Sequence, residues 1–285
     1  MRSIWAIVIA SILLLAIIPS YTFADPPSDK ANSNAKGKYF VSIESLKGPR
    51  VVDLPDGTQV ERIVHIFFDK DFSHKGTPHG GGGGNDKKGG GGGNKELTEA
   101  DCFSFKGAHW KSPEAYIIDP TNGDSLTQSF IELKTATSVS DWESAASNNN
   151  IFGSGSSNAA LVDGVDLSSP DNKNELLFGT TDDSNVIAFT VTWVTRAGPP
   201  NDRSIVEWDM LFNDGDFTFV DADFASGMDY HAIAAHELGH AAGLGHSPTD
   251  GICVDQTMYP TAAFNETKKR SLELGDRTGI LQLYS

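Results

Sequence analysis

Three histidines and a glutamate in the carboxyl-terminal part of the chain have the residue types and spacing of a catalytic metal site. Residues 236–246 read His-Glu-Leu-Gly-His-Ala-Ala-Gly-Leu-Gly-His, which is H-E-x-x-H-x-x-G-x-x-H with every fixed position filled. On a helix, His236 and His240 lie one turn apart on the same face, as zinc requires of two imidazole ligands. Gly243 is able to end the helix in the left-handed conformation, so that the chain returns and brings in His246 as a third ligand.

Three protein ligands leave the fourth position of a tetrahedral zinc ion open to water, which is typical of catalytic rather than structural sites. Glu237 follows the first histidine and is placed to act as general base toward that water. A pair of histidines on a helix is more often a surface or core feature than a metal site. The complete set at fixed spacing, in the required helical context, predicts one catalytic zinc ion.

The motif resembles the zinc signature of the metzincin metallopeptidases, and its surroundings are similar to those of matrixins, in particular the microbial type. Ser247 follows the third histidine, as in matrixins. Further on, Thr257-Met258-Tyr259-Pro260 resembles the metzincin Met-turn. Residues 274–284 are similar to the last matrixin helix, in which an aspartate at the place of Asp276 supports that turn. The resemblance covers about residues 101–285.

The resemblance implies a secreted zinc-dependent endopeptidase with a metzincin-like α/β (α+β) catalytic domain. That domain would contain a twisted mixed five-stranded sheet, an active-site helix, the Met-turn and a C-terminal helix. Met258 would form an apolar floor under the histidines, and Pro260, Thr261 and Ala262 would line one wall of the substrate pocket. Protein or peptide substrates would lie extended along a sheet edge, for which residues 186–194 are the candidate strand.

Three departures from the matrixin pattern are evident. The sequence has no Pro-Arg-Cys-Gly cysteine-switch segment, and no His-x-Asp segment for a second, structural zinc. The calcium-loop pattern is also unclear. Asp163, Asp166 and Asp171 are candidate calcium ligands, because calcium takes several oxygen atoms. The alternative interpretation of these aspartates is a solvated turn.

Two segments precede the catalytic domain. Residues 1–24 have the pattern of a secretory signal peptide: a basic start at Arg2, an apolar run and a small-residue cleavage site. A retained membrane anchor is the alternative, but the run is short for a spanning helix. Residues 25–78 contain three predicted strands. They either pack on the catalytic domain or form a removable pro-segment, and we favour the pro-segment.

A glycine-rich linker is predicted over residues 79–98, which contain two five-glycine runs. Residues 99–285 then form the catalytic domain. We predict a long loop over residues 149–174 and a zinc-binding helix from about Asp229 to Ala242. The other predicted elements are a helix over 125–147 and strands at 115–119, 175–178, 186–194, 208–212 and 217–220.

Charge and cysteine content restrict the partners and the compartment. The formal net charge of −16 argues against nucleic acid and anionic membranes as partners. After signal cleavage we expect no stable association with a membrane. The chain has two cysteines, Cys102 and Cys253, which in a secreted protein predict a disulfide bond. The alternative is that Cys102 serves as an inhibitory zinc thiolate.

Two functions from other classes stay open. The first is an extracellular binding protein that uses zinc only for structure, although Glu237 and the count of three ligands argue against it. The second is a self-processing factor whose only substrate is its own N-terminal region, which the glycine-rich linker makes conceivable.

Overall fold

The computed structural model describes residues 38–70, 96–147, 149–199 and 202–285. The predicted signal peptide and both glycine runs lie outside the described residues, so signal cleavage and the linker stay predictions. Within the described part of the chain, no helix is long and apolar enough to cross a membrane.

Thirteen strands and four α-helices make up the regular structure of the described residues. The strands are β1 (Tyr39–Val41), β2 (Arg50–Asp53), β3 (Gln59–Asp69), β4 (Ser104–Phe105), β5 (Glu114–Ile118), β6 (Phe152–Ser157), β7 (Asn174–Thr181), β8 (Val186–Thr195), β9 (Ile205–Asn213), β10 (Phe219–Val220), β11 (Met228–Asp229), β12 (Leu244–Gly245) and β13 (Thr261–Ala262). The helices are α1 (Ile43–Leu46), α2 (Gln128–Ala145), α3 (Tyr230–Ala241) and α4 (Leu274–Leu283).

Nine of these strands form one mixed sheet in the order β13-β3-β8-β9-β7-β5-β6, in which β1 also pairs with β7 and β2 with β3. The strands β6, β5, β7 and β9 are parallel, and β8 is antiparallel to β9. With helices packed on this sheet, the predicted α/β (α+β) fold is confirmed. The strand predicted at residues 186–194 is present as β8 and is antiparallel to β9, but it is not the sheet edge that we expected, because β3 pairs with its other side.

One loop prediction and one strand prediction for the catalytic domain are wrong. The predicted loop over residues 149–174 contains β6, whose sequence Phe-Gly-Ser-Gly-Ser-Ser has little intrinsic preference for a strand. Its glycines instead permit close packing, since a Cβ atom at Gly155 would lie 2.3 Å from the Tyr116 ring. Residues 217–220, predicted as the fifth strand, contain only the short β10, which pairs with β11 in a separate sheet.

The N-terminal segment adds to the catalytic sheet. Strands β2 and β3 form a hairpin whose turn contains Gly57 at a φ of +86°, a left-handed conformation that glycine adopts without strain. Strand β3 then pairs antiparallel with β8 from Val60 opposite Thr195 to Phe68 opposite Val186. The segment therefore packs on the catalytic domain, the first of the two alternatives, and its removal stays a prediction.

Apolar cores lie on both faces of the sheet. One core is formed with α2, α3 and α4 and contains large side chains such as Trp142, Trp208 and Tyr230. The other packs the N-terminal segment, through Tyr39 and Val60 among others, against the opposite side chains of the sheet. Residues 38–70 thus contribute mainly to the second core, whereas Phe67 belongs to the first.

The single disulfide bond joins Cys102 to Cys253, as predicted. It connects the beginning of the catalytic domain to the loop between His246 and Met258, and both cysteines are buried. The alternative role of Cys102 as an inhibitory zinc thiolate is wrong, because its sulfur is already bonded to another sulfur.

Candidate metal centre

Helix α3 carries His236, Glu237 and His240 through the interior of the molecule. Every residue from Tyr230 to Ala241 is buried. The helix begins after Asp229, whose side chain accepts a hydrogen bond from the Ala232 amide at 2.8 Å. Such an N-cap fixes where the helix starts, and therefore which side chains face the sheet.

Gly243 turns the chain after α3 and allows His246 to approach. Its φ is +105°, and a Cβ atom there would lie 2.3 Å from the carbonyl oxygen of Ala108. Strand β12 follows at once and pairs with β4. The hydroxyl of Ser104, on β4, donates to the carbonyl oxygen of His246 at 2.7 Å. A side chain at position 243 would clash with Ala108 and disturb the turn that brings His246 back to the other two histidines.

The three predicted histidines come together. A ligand nitrogen of each lies within 4.8 Å of those of the other two. Burial lowers the pKa of both His236 and His240 well below the usual range, which keeps their rings neutral. Neutral imidazole is the form that binds a metal ion.

Hydrogen bonds at the back of the rings fix the tautomers. The Nδ1 atom of His236 lies 2.6 Å from the carbonyl oxygen of Thr257, and that of His240 lies 2.9 Å from the carbonyl oxygen of Leu244. A carbonyl oxygen only accepts, so both Nδ1 atoms donate and both Nε2 atoms carry lone pairs. These Nε2 atoms face each other at 3.1 Å.

Two facing lone pairs at that distance are unfavourable unless a cation lies between them. In a tetrahedral zinc site with Zn–N bonds of about 2.0–2.1 Å, two nitrogens are about 3.3 Å apart. The spacing of the Nε2 atoms therefore fits zinc.

Glu237 is buried beside its histidine neighbours and makes one strong contact. Its Oε2 lies 2.5 Å from the hydroxyl oxygen of Thr190 on β8, while Oε1 has no hydrogen-bond partner among the described residues. Burial raises the pKa of Glu237 to about 8, although the Thr190 hydroxyl acts in the opposite direction. A carboxylate with raised basicity is suited to accept a proton.

The segment around Met258 packs under α3. A Cβ atom at Gly239 would lie 2.2 Å from the Met258 sulfur, so the glycine is needed for this close approach. The Asp276 carboxylate accepts from the amides of Thr257 (2.7 Å) and Met258 (3.1 Å), which is the support expected of it. The same Thr257 holds His236 through its carbonyl oxygen.

Residues of the predicted pocket wall lie next to the N-terminal segment. Thr261 and Ala262 form β13, which runs parallel to β3 and pairs with Phe68 and Asp69. Pro260 precedes this strand. The wall therefore faces the end of β3 and not an open cleft.

Two site residues, His65 and Phe67, were missed by the sequence reasoning. Both lie on β3. The His65 ring stacks on that of His240, with centroids 4.0 Å apart, and the Phe67 ring stacks on that of His236 at 3.7 Å. Because side chains alternate along a strand, the sequence places His65 and Phe67 on the same face of β3. No sequence motif relates that face to the zinc helix.

A second group of potential metal ligands lies on the other side of β9. Carboxylate oxygens of Asp166, Glu207 and Asp209 are within 4.8 Å of one another. Of the predicted calcium ligands, only Asp166 belongs to this group. Asp163 and Asp171 instead form ion pairs with Lys173, at 3.2 Å and 2.6 Å.

Comparison with known proteins agrees with the geometry of the centre. The family model described as Matrixin matches residues 115–285. The chain belongs to the matrixin family. The match includes α3, the Met258 segment and α4, and it begins after residues 38–70.

Curated matrixin relatives match over short stretches. The chain is 46% identical over 52 residues to neutrophil collagenase of Homo sapiens, covering 18% of this chain and 10% of the relative. It is 41% identical over 59 residues to matrilysin of Rattus norvegicus, covering 21% of each. Metalloendoproteinase 4-MMP of Arabidopsis thaliana is 40% identical over 57 residues, which is 20% of this chain and 15% of the relative. The chain therefore matches a fifth or less of the length of two of these relatives, and about a fifth of the third.

Proposed function

We propose that this matrixin is a secreted zinc-dependent endopeptidase that hydrolyses peptide bonds in extracellular proteins. The observation that carries the proposal is the pair of neutral histidines whose Nε2 atoms face each other at 3.1 Å, with a third histidine beside them. A buried carboxylate next to such a centre supports catalysis rather than a purely structural role.

His236, His240 and His246 would hold the zinc ion. When bound, zinc polarises the scissile carbonyl group and makes a water molecule more acidic. Glu237 accepts the proton of the attacking water and passes it to the leaving amine. The Thr190 hydroxyl, 2.5 Å from Oε2, holds the carboxylate in place and leaves Oε1 to receive the proton.

Substrates would bind as a strand along β8, in the place that the end of β3 occupies in this structure. Main-chain hydrogen bonds to the sheet edge give affinity, and pockets for alternate side chains give specificity. Pro260, Thr261 and Ala262 form one wall of the groove. Met258, beneath α3, keeps the floor of the histidine centre apolar.

Secretion is supported by the leader pattern of residues 1–24 and by the disulfide between Cys102 and Cys253, since disulfides persist in oxidising compartments. We expect a protein without stable membrane association after the leader is removed. Its net charge of −16 disfavours nucleic acid as a partner.

We also propose a calcium ion at Asp166, Glu207 and Asp209. Burial, with the nearby charge of Asp166, raises the pKa of Glu207 to about 9. Burial and the charge of Glu207 likewise raise the pKa of Asp209. Three crowded carboxylates are unfavourable when ionised, and a divalent cation that prefers oxygen ligands would relieve their repulsion.

The rival functions differ from the proposal in what they cleave. An extracellular binding protein with structural zinc would cleave nothing, and a strict self-processing factor would cleave only its own chain. The placement of β3 over the histidines favours self-cleavage as an additional reaction, and leaves later turnover of other proteins open.

A diverse peptide library added to the zinc-loaded protein separates these functions. Cleavage is followed by mass spectrometry until its rate is steady, with and without a zinc chelator. We expect cleavage at many library sequences that stops on chelation and returns with zinc. A zinc-loaded protein that leaves the whole library intact would contradict a general endopeptidase.

A further inference from the structure

The loop between β6 and β7 contacts both the sheet and the N-terminal segment of residues 38–70. This loop comprises residues 158–173. Its side chains Val162 and Leu167 are buried, and they belong to the same apolar cluster as Tyr39 of the segment. The loop is therefore part of the surface on which the segment packs.

Polar side chains of the segment donate hydrogen bonds to backbone carbonyls of the loop. The donor–acceptor pairs are Arg62–Leu167 (2.6 Å), Tyr39–Val162 (2.8 Å), Lys38–Ala159 (3.0 Å) and Arg50–Ser168 (3.1 Å). The Arg62 side chain is buried, so its bond to the loop is shielded from water. The segment thus depends on the position of the loop backbone.

Buried carboxylates of the sheet hold the other side of the loop. Amides of the loop donate to them in the pairs Asp163–Glu175 (3.3 Å), Gly164–Glu175 (3.2 Å), Asp166–Asp209 (2.8 Å) and Asn172–Glu207. The Trp193 indole on β8 also donates to the carbonyl oxygen of Asp166 at 3.0 Å. The loop therefore connects the acidic side chains of the sheet with the segment.

Two of these carboxylates belong to the proposed calcium site. Glu207 is fully buried, and its Oε1 atom has no hydrogen-bond partner among the described residues. Carboxylate oxygens of Asp166 and Asp209 lie within 4.8 Å of a Glu207 oxygen. Calcium takes several oxygen ligands, so it would use the unpaired oxygen and offset the repulsion among the three side chains.

Asp166 connects the calcium site with the segment. It is the member of the site that the loop supplies, and the next residue, Leu167, provides the carbonyl that accepts from Arg62. A cation shared by Asp166 and two side chains of β9 would fix the loop on that strand. It would thereby hold the Leu167 carbonyl where Arg62 needs it.

We propose that calcium at this site controls how firmly the N-terminal segment is held on the catalytic domain. The inference rests on the calcium ion of the proposed function and goes beyond it, because it gives that ion a regulatory role. The segment ends in β3, whose His65 and Phe67 rings stack on two of the three histidines. Calcium would keep this cover in place, and loss of calcium would loosen it.

Coupling of this kind is reciprocal. If calcium makes opening of the segment less frequent by some factor, the docked segment strengthens calcium binding by the same factor. Coupling between two sites is typically roughly 5–150-fold, and we expect about tenfold here. The two halves of the coupling are measured independently.

Calcium is titrated into the zinc-loaded, full-length Glu237→Gln protein while amide hydrogen exchange is followed by mass spectrometry. Exchange reports local opening and needs no turnover. Calcium should slow exchange in β2, in β3 and in residues 158–173 about tenfold with one common midpoint, and in α2 by less than about twofold. Protection of the loop without β3, or equal protection of every element, would overturn the proposal.

A matched pair of variants tests the connection through Arg62. Arg62→Met keeps an apolar stem but removes the donor to Leu167, and also the one to Ser45 within the segment. Calcium should still protect the loop, should change β3 by less than about twofold, and should bind about tenfold more weakly in calorimetry. Lys47→Met changes an exposed cation of the segment that pairs with Glu44, and should keep the full coupling.

A second variant applies if Arg62→Met does not fold. Arg50 is exposed and donates to Ser168, so Arg50→Met should fold and should reduce the calcium effect on β3 in the same direction, by about twofold. Because the effect of calcium is compared within each variant, a general loss of stability does not imitate a loss of coupling. Full coupling in every foldable variant would overturn the proposal.

The outcomes separate this inference from the proposed peptidase. A protein that binds no calcium would overturn both the ion and its coupling, whatever its activity on peptides. Calcium binding that leaves β3 unchanged would overturn the coupling alone. A coupled protein that cleaves no peptide would support this inference and contradict the peptidase.

Discussion

At the scale of single residues, the chemistry of the centre follows from hydrogen bonds behind the ligands. Backbone carbonyls of Thr257 and Leu244 fix the tautomers of His236 and His240, so that the lone pairs converge where a cation fits. The Thr190 hydroxyl fixes the orientation of the Glu237 carboxylate by donating a hydrogen bond to its Oε2 atom. Thr257 and Thr190 are distant in sequence from the groups they orient, whereas Leu244 lies in the turn that follows His240.

Thr190→Val should lower the turnover number about tenfold, because the hydroxyl that positions Glu237 is lost while the shape of the side chain is kept. KM should change little, since Thr190 contacts the base and not the substrate side chains. Thr190→Ser restores a hydroxyl and should recover most of the activity. Steady-state kinetics on a cleaved peptide would measure both variants, and equal losses in Val and Ser would argue for a packing role.

The motif allowed the three histidines and Glu237 to be predicted, because their spacing along one helix and turn determines their proximity. Thr190, His65 and Phe67 could not be predicted in the same way. The approach of His65 and Phe67 to the histidines depends on the register of β3 against β8, and that of Thr190 to Glu237 depends on how β8 packs against α3. The sequence contains no local signal for either arrangement.

At the scale of elements, α3 is positioned by close contacts along its length. Gly239 faces Met258 and the Trp142 ring, and no side chain fits between them. Asp229 caps the first turn and also binds Arg270 through two hydrogen bonds, of 2.9 Å and 2.5 Å. The helix is therefore held at its start and along its packed face.

Gly239→Ala should lower the free energy of unfolding by about 1–3 kcal/mol, because the new Cβ would lie 2.2 Å from the Met258 sulfur. Gly251→Ala is the matched control, since a Cβ atom there meets nothing within 4 Å. Urea unfolding of the metal-free proteins measures both. An unchanged stability of Gly239→Ala would contradict the tight packing of the Met258 segment under α3.

Asp229→Asn should destabilise the protein by about 2–3 kcal/mol at neutral pH, because it breaks a buried ion pair and weakens a helix cap. Asp223→Asn removes an exposed contact to the same arginine and should cost less than about 1 kcal/mol.

The effect of Asp229→Asn should depend on pH. Burial alone would raise the pKa of Asp229, but the hydrogen bonds from Arg270 hold it below its ordinary value. The folded state thus favours the charged form. Its contribution is complete above the unfolded pKa of about 4 and is lost as pH falls through the lower folded value. Unfolding curves of wild type and variant should therefore converge in acid, and a constant difference down to pH 2 would contradict this ion pair.

Strand β6 and the residues of β10 were predicted wrongly because their structure depends on packing between distant parts of the chain. A Gly-Ser sequence was assigned to a loop because its own preferences are weak, yet packing against Tyr116 makes it a strand. The longer elements α2, α3, β8 and β9 were predicted correctly, because their sequences contain the apolar residues that a buried helix or strand needs.

At the scale of the whole molecule, the N-terminal segment covers both the second core and the centre. Residues 38–70 pack on the face of the sheet away from α3, and β3 then continues past the histidines. The loop with Asp166 contacts this segment, since the Leu167 carbonyl accepts from Arg62. A cation near Asp166 would therefore stabilise the region where the segment and the catalytic domain meet.

Calcium should raise the melting temperature by roughly 5 °C at saturating concentration, because it binds only the folded carboxylate group. Glu207→Gln should abolish the shift. It should also leave the calcium-free protein at least as stable as wild type, since burial already disfavours the charged form of the carboxyl group that is replaced. Asp255→Asn, which changes an exposed carboxylate, should keep the full shift. A shift that survives in Glu207→Gln would place calcium elsewhere.

The most direct test of the account compares zinc content and peptide turnover in wild type and Glu237→Gln. Because Glu237 is the proposed base and not a ligand, the variant should keep one zinc ion per chain while its turnover falls by at least about a hundredfold. Wild-type turnover by the zinc-loaded variant would contradict the role of Glu237, and the absence of bound zinc in wild type would contradict the metal centre itself.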